Sequence, residues 1–296
     1  MSRDTFSTYN PLINFMFYIG AIVFGMFFIH PGFLLCSCLL SMGYYVSIKG
    51  AAAFKTIAAM IPIFALVSVI NPIFSKYGAT VLFTYFGGRP YTLESLYYGM
   101  AIGAMFVTVI MWFASYNLVM TSDKFMYLFG KTAPSITLVL TMVLRLVPNF
   151  TNKMKQIIAA RRSVGKAGGE GKKELMRDGV DVLSAITNWA FEGGITTADS
   201  MRSRGYGTGK RGRFSIYRFD GRDVMLGVFM IALAVIIVIC AVNGGMDTRY
   251  VPMAIITGPD NPYCVTGLAA YVIFLGIPTV LNVAEDIKWH ILRSRI

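Results

Sequence analysis

A basic stretch with regularly placed glycines has the residue types best suited to chemistry or binding. It reads Ala198-Asp199-Ser200-Met201-Arg202-Ser203-Arg204-Gly205-Tyr206-Gly207-Thr208-Gly209-Lys210-Arg211. The pattern mimics a phosphate-binding loop, but three residues rather than four separate its outer glycines, and neither Ser nor Thr follows Lys210. A helix rather than a strand is also expected before it. We therefore favour docking of an acidic partner over binding of ATP here.

The composition places this stretch in a membrane protein. Of the 296 residues, 55% are hydrophobic and 14% are charged, and the mean hydropathy is +0.60. A bilayer core of about 30 Å needs about 20 helical residues to cross it. We predict an all-α polytopic membrane protein with about six transmembrane helices. The apolar runs are 12–29, 33–48, 57–74, 93–119, 224–242 and 267–283.

The distribution of positive charge predicts the orientation, because basic loops stay in the cytoplasm. Residues 151–223 carry fifteen Lys and Arg against eight Asp and Glu, a local net charge of +7. Four spans before this segment and two after it place both termini in the cytoplasm, as the basic tail 288–295 also indicates. We expect transmembrane helices 1–4 in 1–120, a cytoplasmic coupling-helix region in 121–223, and transmembrane helices 5–6 in 224–296.

One further apolar run, 135–150, does not fit this count as a span. It contains Arg145 and Pro148, and lysines lie on both of its flanks. We expect it to lie in the membrane interface or beneath the other helices. The alternative is a seventh span.

Two segments are predicted on the outer side. Residues 75–90 are rich in β-branched and aromatic residues and end in Gly87-Gly88, which predicts a short hairpin. Residues 243–266 are rich in Gly, Pro and Asn and predict an irregular loop.

The coupling-helix region contains two amphipathic patterns. One helix is expected over 151–162, ending in Arg161-Arg162, before the glycine-rich connector 165–171. A second is expected over about 177–204. Each is predicted to end in arginine followed by glycine-rich coil, which suits bidentate pairing with carboxylates of another protein. Arginines at such ends also complement the helix dipole and bind anionic membrane lipid, which is the simpler explanation of any single one.

Gly193-Gly194 lies in the middle of the second predicted helix. A glycine there costs about 1 kcal/mol relative to alanine. Close packing of two helices is the usual compensation, so we predict that the two cytoplasmic helices cross at these glycines.

The cysteines and histidines form no pattern typical of a metal site or a nucleophile. They are Cys36, Cys38, Cys240, Cys264, His30 and His290. Three cysteines lie in predicted membrane helices, and the spacing fits neither zinc binding nor a disulfide framework. The histidines are predicted on opposite sides of the membrane. We expect no catalytic residue, no metal site and no cofactor bound by this chain.

The sequence resembles the transmembrane T component of energy-coupling factor (ECF) transporters, the EcfT or CbiQ family. Residues 198–211 are similar to the family's second signature, in which an Ala-Arg-Gly-like triplet ends a coupling helix. Here the triplet is Ser203-Arg204-Gly205, and the first signature has a doubled arginine, Ala160-Arg161-Arg162-Ser163. The resemblance covers most of 10–213, is specific in the coupling segment and is weak at the C-terminus. The segments that carry it are 10–15, 27–31, 78–83, 92–96 and 134–148.

The resemblance implies a non-enzymatic energy-transducing subunit of an ABC transporter complex in the cell membrane of a prokaryote. In the family, two ABC-type ATPases that bind ATP and Mg²⁺ dock on the ends of the coupling helices, and a membrane-embedded S component binds the vitamin or metal ion. The docking residues implied here are Arg161, Arg162, Ser163, Ser203, Arg204 and Gly205. The doubled arginine leaves open which of Arg161 and Arg162 is the main one.

Two other functions fit the sequence less well. A membrane enzyme acting on a lipid or isoprenoid phosphate would use the basic loop to hold phosphate, but the carboxylates of that loop are scattered. A channel or secondary transporter would need broken membrane helices or buried midplane charges. Nucleic acid is not an expected partner of this chain.

Overall fold

The protein is described by a computed structural model of residues 4–74, 78, 80–85, 89–130, 133–165, 172–208, 217, 219–250, 255–256, 258 and 260–293. The chain folds into two compact units. The first comprises Met1–Phe125 and Tyr217–Ile296, and the second comprises Met126–Ile216. Helices dominate the described residues of both, as the all-α prediction requires.

The helices follow the apolar and amphipathic patterns of the sequence. In chain order they are α1 (Pro11–Phe27), α2 (Pro31–Lys49), α3 (Ala53–Phe74), α4 (Leu93–Val119), α5 (Ser122–Phe129), α6 (Pro134–Ser163), α7 (Lys172–Ser203), α8 (Gly221–Val242) and α9 (Pro262–Arg293). All six predicted apolar runs are helical, in α1–α4, α8 and α9. Side chains cap the N-termini of several of these helices by accepting hydrogen bonds from backbone amides. They are Asn10 for α1, His30 for α2 and Thr92 for α4.

Five helical segments of the described chain are long and apolar enough to cross a membrane. They are Pro31–Phe74, Leu93–Val119, Pro134–Ser163, Gly221–Val242 and Pro262–Arg293. The first contains two predicted spans, α2 and α3, joined through a 3-10 turn at Gly50–Ala52. Helix α1 has 17 residues and is shorter than these. Helix α6 contains the run 135–150, so its interfacial position stays a prediction.

Two short antiparallel ladders complete the fold of the first unit. The predicted hairpin is confirmed as β1 (Val81–Tyr85) paired with β2 (Arg89–Thr92), in a register that sets Tyr85 opposite Arg89. The loop 243–266 is less irregular than predicted, because β3 (Thr248–Arg249) pairs with β4 (Ile255–Ile256). Helix α9 also begins inside that loop, where the Asn261 side chain accepts a hydrogen bond from the Tyr263 amide at 3.1 Å.

Aromatic side chains form the centre of the first unit. Trp112 of α4 is fully buried and donates from Nε1 to the Ser37 hydroxyl of α2 at 3.1 Å. Phe17 of α1 meets its ring edge-on at 5.5 Å between centroids and stacks on Phe274 of α9 at 5.4 Å. These edge-on and stacked contacts are favourable aromatic geometries, and they tie four helices of the unit together.

Helices α3 and α4 approach each other most closely at two glycines. A Cβ atom on Gly99 would lie 2.7 Å from the Ser68 carbonyl oxygen, and one on Gly103 would lie 2.7 Å from the Ser68 hydroxyl. The four-residue spacing of these glycines puts them on one face of α4. Small residues at this spacing let membrane helices pack backbone against backbone.

The N-terminal segment packs on the helices of the first unit through polar contacts. The Asn282 side chain of α9 accepts from the backbone amides of Thr5 and Phe6 and donates to Asp4. Lys124 of α5 is buried and donates from Nζ to the Ser7 carbonyl at 2.6 Å, the Ser7 hydroxyl at 2.8 Å and the Val119 carbonyl at 2.9 Å. Three acceptors thus replace the water that burial removes from this ammonium group.

The second unit contains longer helices than the sequence patterns predicted. Residues 135–150 and 151–162 were expected as separate elements. They form one helix instead, since α6 passes through Pro148 without a break and has 30 residues in all. Proline removes one backbone hydrogen bond without ending this helix. Helix α7 begins at Lys172, five residues before the predicted start at 177, and has 32 residues.

Candidate functional site: the arginine ends of α6 and α7

Helices α6 and α7 pack as an antiparallel hairpin. Phe150 of α6 meets Trp189 of α7 edge-on at 5.4 Å between ring centroids, and Lys153 lies over the Trp189 ring at 5.8 Å. Nearer the connection, Arg161 of α6 bonds to acidic residues at the start of α7. The two contacts pair later residues of α6 with earlier residues of α7, which defines the antiparallel arrangement.

Both helices end in a glycine with a positive φ. Gly205 follows α7 with φ 77°, its amide bonds to the Arg202 carbonyl at 2.9 Å, and the Tyr206 amide bonds to the Met201 carbonyl at 3.0 Å. This pair of bonds is the Schellman motif, which needs a left-handed residue that glycine supplies without strain. Gly165 after α6 has φ 70° and bonds to the Arg162 carbonyl at 3.0 Å. The predicted arginine-then-glycine ends are therefore confirmed as helix terminations.

The serines of the two ends bond to their own helices. The Ser163 hydroxyl donates to the Ala159 carbonyl at 3.1 Å, and the Ser203 hydroxyl donates to the Asp199 carbonyl at 2.9 Å. Each bond runs four residues back along the helix, a common arrangement for serine in helices. Both serines are exposed but have their hydroxyl protons already engaged.

The two adjacent arginines of α6 have different surroundings. Arg161 donates from one terminal nitrogen to Asp178 at 2.8 Å and to Asp181 at 3.0 Å, and its side chain is 22% exposed. Arg162 is exposed and has no ion pair among the described residues. Arg161 therefore fixes the hairpin, whereas Arg162 presents its guanidinium outward.

Arg204 at the end of α7 resembles Arg162 in its surroundings. It is exposed, and within the described ranges no carboxylate pairs with it. Because the hairpin is antiparallel, Arg162 lies near the start of α7 and Arg204 lies at its end. About 26 residues of α7 separate these positions, which at about 1.5 Å per residue is about 40 Å. One small partner groove cannot hold both arginines at once.

The structure contradicts the predicted crossing at Gly193 and Gly194. A Cβ atom on either glycine would meet no atom of the described residues within 4 Å. The contacts of α7 with α6 are made instead by Trp189 and by Asp178 and Asp181. The close glycine packing that we expected in α7 occurs in α4, because that helix is packed against a neighbour on the face where its glycines lie.

Exposed apolar side chains run along α7. They are Met176, Val180, Leu183, Phe191 and Ile195, each 63–73% exposed. None of the described residues of α6 is buried either. An apolar surface of this extent on a helical hairpin is typical of a segment that contacts another molecule.

Sequence reasoning missed the residues that hold Arg161 in place. Asp178 and Asp181 are three residues apart and therefore lie on one face of α7. Together with a basic residue in the preceding helix, that spacing is a signal for an interhelical ion pair. The signal does not say which arginine is the partner, because that depends on how the hairpin closes.

The described residues contain no group of three or more His, Cys, Asp or Glu side chains placed to hold a metal ion. The basic turn 209–213, the connector 166–171 and Gly87-Gly88 lie outside the described residues.

Comparison with known proteins identifies a similar membrane protein. No protein-family model matches the chain. Over 188 residues the chain is 28% identical to the energy-coupling factor transporter transmembrane protein EcfT 1 of Listeria monocytogenes serotype 1/2a (strain 08-5578). That match covers 59% of this chain and 70% of the relative. This multi-pass membrane protein, with its apolar helices and its two arginine-ended helices, is thus similar in sequence to an EcfT transmembrane protein.

Proposed function

We propose that this chain is the transmembrane energy-transducing subunit of an ECF-type ABC importer. It links ATP hydrolysis by two cytoplasmic ATPase subunits to movement of a substrate-binding S component that carries a vitamin or a metal ion. The chain itself is not an enzyme and binds no cofactor, since ATP and Mg²⁺ bind to the ATPases. The observation that carries the proposal is the pair of exposed arginines, Arg162 and Arg204, at rigid glycine-terminated helix ends.

The separation of the two arginines supports two ATPase partners rather than one. Arg162 and Arg204 are about 40 Å apart, from a helical rise of about 1.5 Å per residue. Each helix end therefore needs its own acceptor groove. A planar guanidinium at the end of a rigid helix suits a carboxylate-lined groove, because two of its N–H groups can donate parallel hydrogen bonds to the two oxygens of one carboxylate. The exposed apolar residues of α7 provide further contact area for the ATPases or for the S component.

In this proposal both termini and the α6–α7 hairpin are in the cytoplasm of a prokaryotic cell, and the first unit spans the cell membrane. The net charge of +7 over 151–223 supports that orientation. Residues 135–150 of α6 lie in the interface rather than across the bilayer.

Copurification and coupled transport test the proposal. The chain, coexpressed with the ATPase and S-component genes of its own organism, should bring both with it from detergent extracts. Arg162→Ala and Arg204→Ala should each weaken ATPase binding by about 10- to 150-fold, since each removes a charge-assisted contact of about 1.5–3 kcal/mol. Uptake should fall in parallel.

Arg145→Ala is the matched control, because Arg145 is an exposed arginine in the middle of α6, 17 residues before Arg162. It should bind ATPases as the unmodified chain does. If all three variants bind and transport alike, the helix ends are not the docking sites. If no ATPase copurifies with the unmodified chain, the energy-transducing function itself is wrong.

A further inference from the structure

Residues 4–10 precede α1 and bond to helices that are distant in the chain, and we call this segment the clasp. Phe6 of the clasp is fully buried in the first unit. Its amide donates to the Asn282 side chain of α9 at 3.3 Å. The Asp4 carboxylate accepts from the Tyr44 hydroxyl of α2 at 3.1 Å and from Asn282 at 2.7 Å. The clasp therefore joins α2 and α9 to each other and to α1, which follows it in the chain.

The clasp also bonds to the place where the chain leaves the first unit. The first part of that unit ends at Phe125, and Lys124 directly before it is buried. Lys124 donates from Nζ to the carbonyl and hydroxyl oxygens of Ser7 at 2.6 and 2.8 Å. Both hydrogen bonds are charge-assisted, and such bonds are stronger than those between neutral groups. The clasp thus holds the residue from which the chain continues into 126–216.

The place where the chain returns to the first unit is bonded to the clasp as well. The unit resumes at Tyr217, shortly before α8. The Asn10 amide donates to one oxygen of the Asp223 carboxylate at 3.3 Å, and both residues are buried. The other oxygen accepts from the Asp220 amide at 3.1 Å. One carboxylate therefore joins the clasp to the first turn of α8.

The exit and the return of the chain are neighbours. Burial raises the pKa of Tyr217, and the negative charge of Asp123 raises it further. A carboxylate has this effect on a phenol because it disfavours a second negative charge nearby. Asp123 and Tyr217 therefore lie close together, although the whole segment 126–216 separates them in the chain. The clasp spans both places.

Buried polar contacts resist displacement more than apolar contacts do. An apolar side chain that slides along its neighbour stays in contact with other apolar groups. A buried ammonium or carboxylate that loses its partner is left with the full cost of its desolvation. Lys124 and Asp223 are therefore expected to move together with the clasp, and the clasp with α2 and α9.

We infer that the clasp transmits a displacement of 126–216 to the membrane helices of the first unit. The inference rests on the proposed function, in which ATP binding by the ATPases causes that displacement. Lys124, Asp223 and Asn282 are then positioning residues, because they act through the clasp rather than on a partner.

Amide hydrogen exchange of the assembled complex tests the transmission. This chain, with the ATPases and S component of its own organism, is measured in nanodiscs with ADP or with AMP-PNP and Mg²⁺. AMP-PNP should change exchange in 134–203 and also at the ends of α2 and α9 beside the clasp, 41–49 and 279–290. In Lys124→Met and in Asn282→Leu the change should persist in 134–203 and disappear from those two ends.

Ser37→Ala is the matched control, because it removes a buried hydrogen bond from Trp112 to α2 and leaves the clasp intact. It should lose stability but keep the AMP-PNP response at both helix ends. A response there in all four proteins, or its loss in Ser37→Ala as well, would overturn the transmission. A response confined to 134–203 in the unmodified chain would also overturn it, while leaving ATPase docking intact. No response anywhere would overturn the proposed function and the transmission with it.

A measurement on the chain alone in detergent does not depend on the ATPases. The hydrogen bonds of Asn282 described here go to the clasp. Asn282→Leu should nevertheless speed exchange of α5 and of the first turn of α8 about tenfold, the effect of losing one strong hydrogen bond on an opening equilibrium. Ser37→Ala should leave both unchanged. Unchanged exchange in Asn282→Leu, or equal acceleration in both variants, would show that the clasp does not hold the exit and the return.

Discussion

Adjacent arginines on α6 have different surroundings, and this separates their roles. Arg161 bonds to two aspartates of α7, whereas Arg162 next to it is exposed. Successive residues of a helix point about 100° apart, so one guanidinium faces α7 while the other faces away. Arg161 is a positioning residue for the hairpin, and Arg162 is the better candidate for contact with a partner.

We expect Arg161→Ala to loosen the start of α7, because both carboxylates lose their partner. Amide hydrogen exchange over 174–185 should accelerate severalfold, and Asp178→Asn with Asp181→Asn should have the same effect. Arg162→Ala, the control on the neighbouring residue, should leave exchange there unchanged while still reducing ATPase binding. Faster amide exchange over 174–185 in Arg162→Ala, or an unchanged exchange rate there in Arg161→Ala, would contradict this division of roles.

Lys124 makes stability depend on pH. Burial lowers the pKa of its ammonium group from 10.5 to about 8, and the charge of Asp4 partly opposes that shift. Below about pH 8 the folded chain carries the full cost of the buried charge. Between about 8 and 10.5 the unfolded chain binds more protons at this group, so the group's contribution to the free energy of unfolding rises with pH.

The comparison with Lys124→Met isolates this contribution. From pH 7 to pH 10.5, the stability of the unmodified chain relative to the variant should increase by up to about 3 kcal/mol. Chemical unfolding in detergent micelles at several pH values measures the difference. A difference that stays constant or falls with pH would show that Lys124 does not titrate as its burial implies.

At the scale of elements, two glycine pairs have opposite roles. Gly99 and Gly103 let α3 and α4 pack closely, whereas Gly193 and Gly194 face open space on α7. The first pair is required by sterics. The second lowers helix propensity and relieves no contact with the described part of the chain.

Substitutions at the two pairs should therefore change stability in opposite directions. Gly99→Leu and Gly103→Leu should each destabilise the chain by about 1–3 kcal/mol, because the side chain overlaps the backbone or hydroxyl of Ser68. Gly193→Ala and Gly194→Ala should each stabilise α7 by up to about 1 kcal/mol. Thermal unfolding in detergent compares the four variants, and a loss of stability in the α7 variants would show a contact that we have not identified.

At the scale of the whole molecule, the topology depends on whether α6 crosses the membrane. The helix is long and apolar enough to cross a membrane, yet lysines flank its apolar part and Arg145 lies within it. Basic residues at both ends favour one side of the membrane for both. An interfacial position of 135–150 would keep the orientation of every later helix consistent with the basic hairpin region.

Cysteine labelling in sealed cells tests this arrangement in a background without native cysteines. Cysteines placed at positions 87 and 258 should react with an impermeant reagent from outside, and those at 131, 153 and 168 should react only after the cells are opened. Reaction from outside at 131 alone would show that α6 crosses the membrane. Reaction from outside at 131, 153 and 168 together would show that the whole orientation is the opposite of the one proposed.

The sequence by itself determined the helical class, the six apolar helices, the hairpin near residue 85 and the arginine-then-glycine helix ends. These features depend on runs of apolar residues and on neighbours within about one or two helical turns. The continuity of α6 through Pro148 was missed because proline permits a helix as well as ending one.

Only the tertiary structure decided which arginine pairs with Asp178 and Asp181, which glycines allow close packing and which lysine is buried. Each depends on residues distant in the chain, such as Arg161 with Asp181, Gly99 with Ser68, and Lys124 with Ser7. The same residue type occurs in several places with equal local propensity. The role of each such residue depends on whether its side of the helix faces a neighbouring element. That is decided only when the helices pack together.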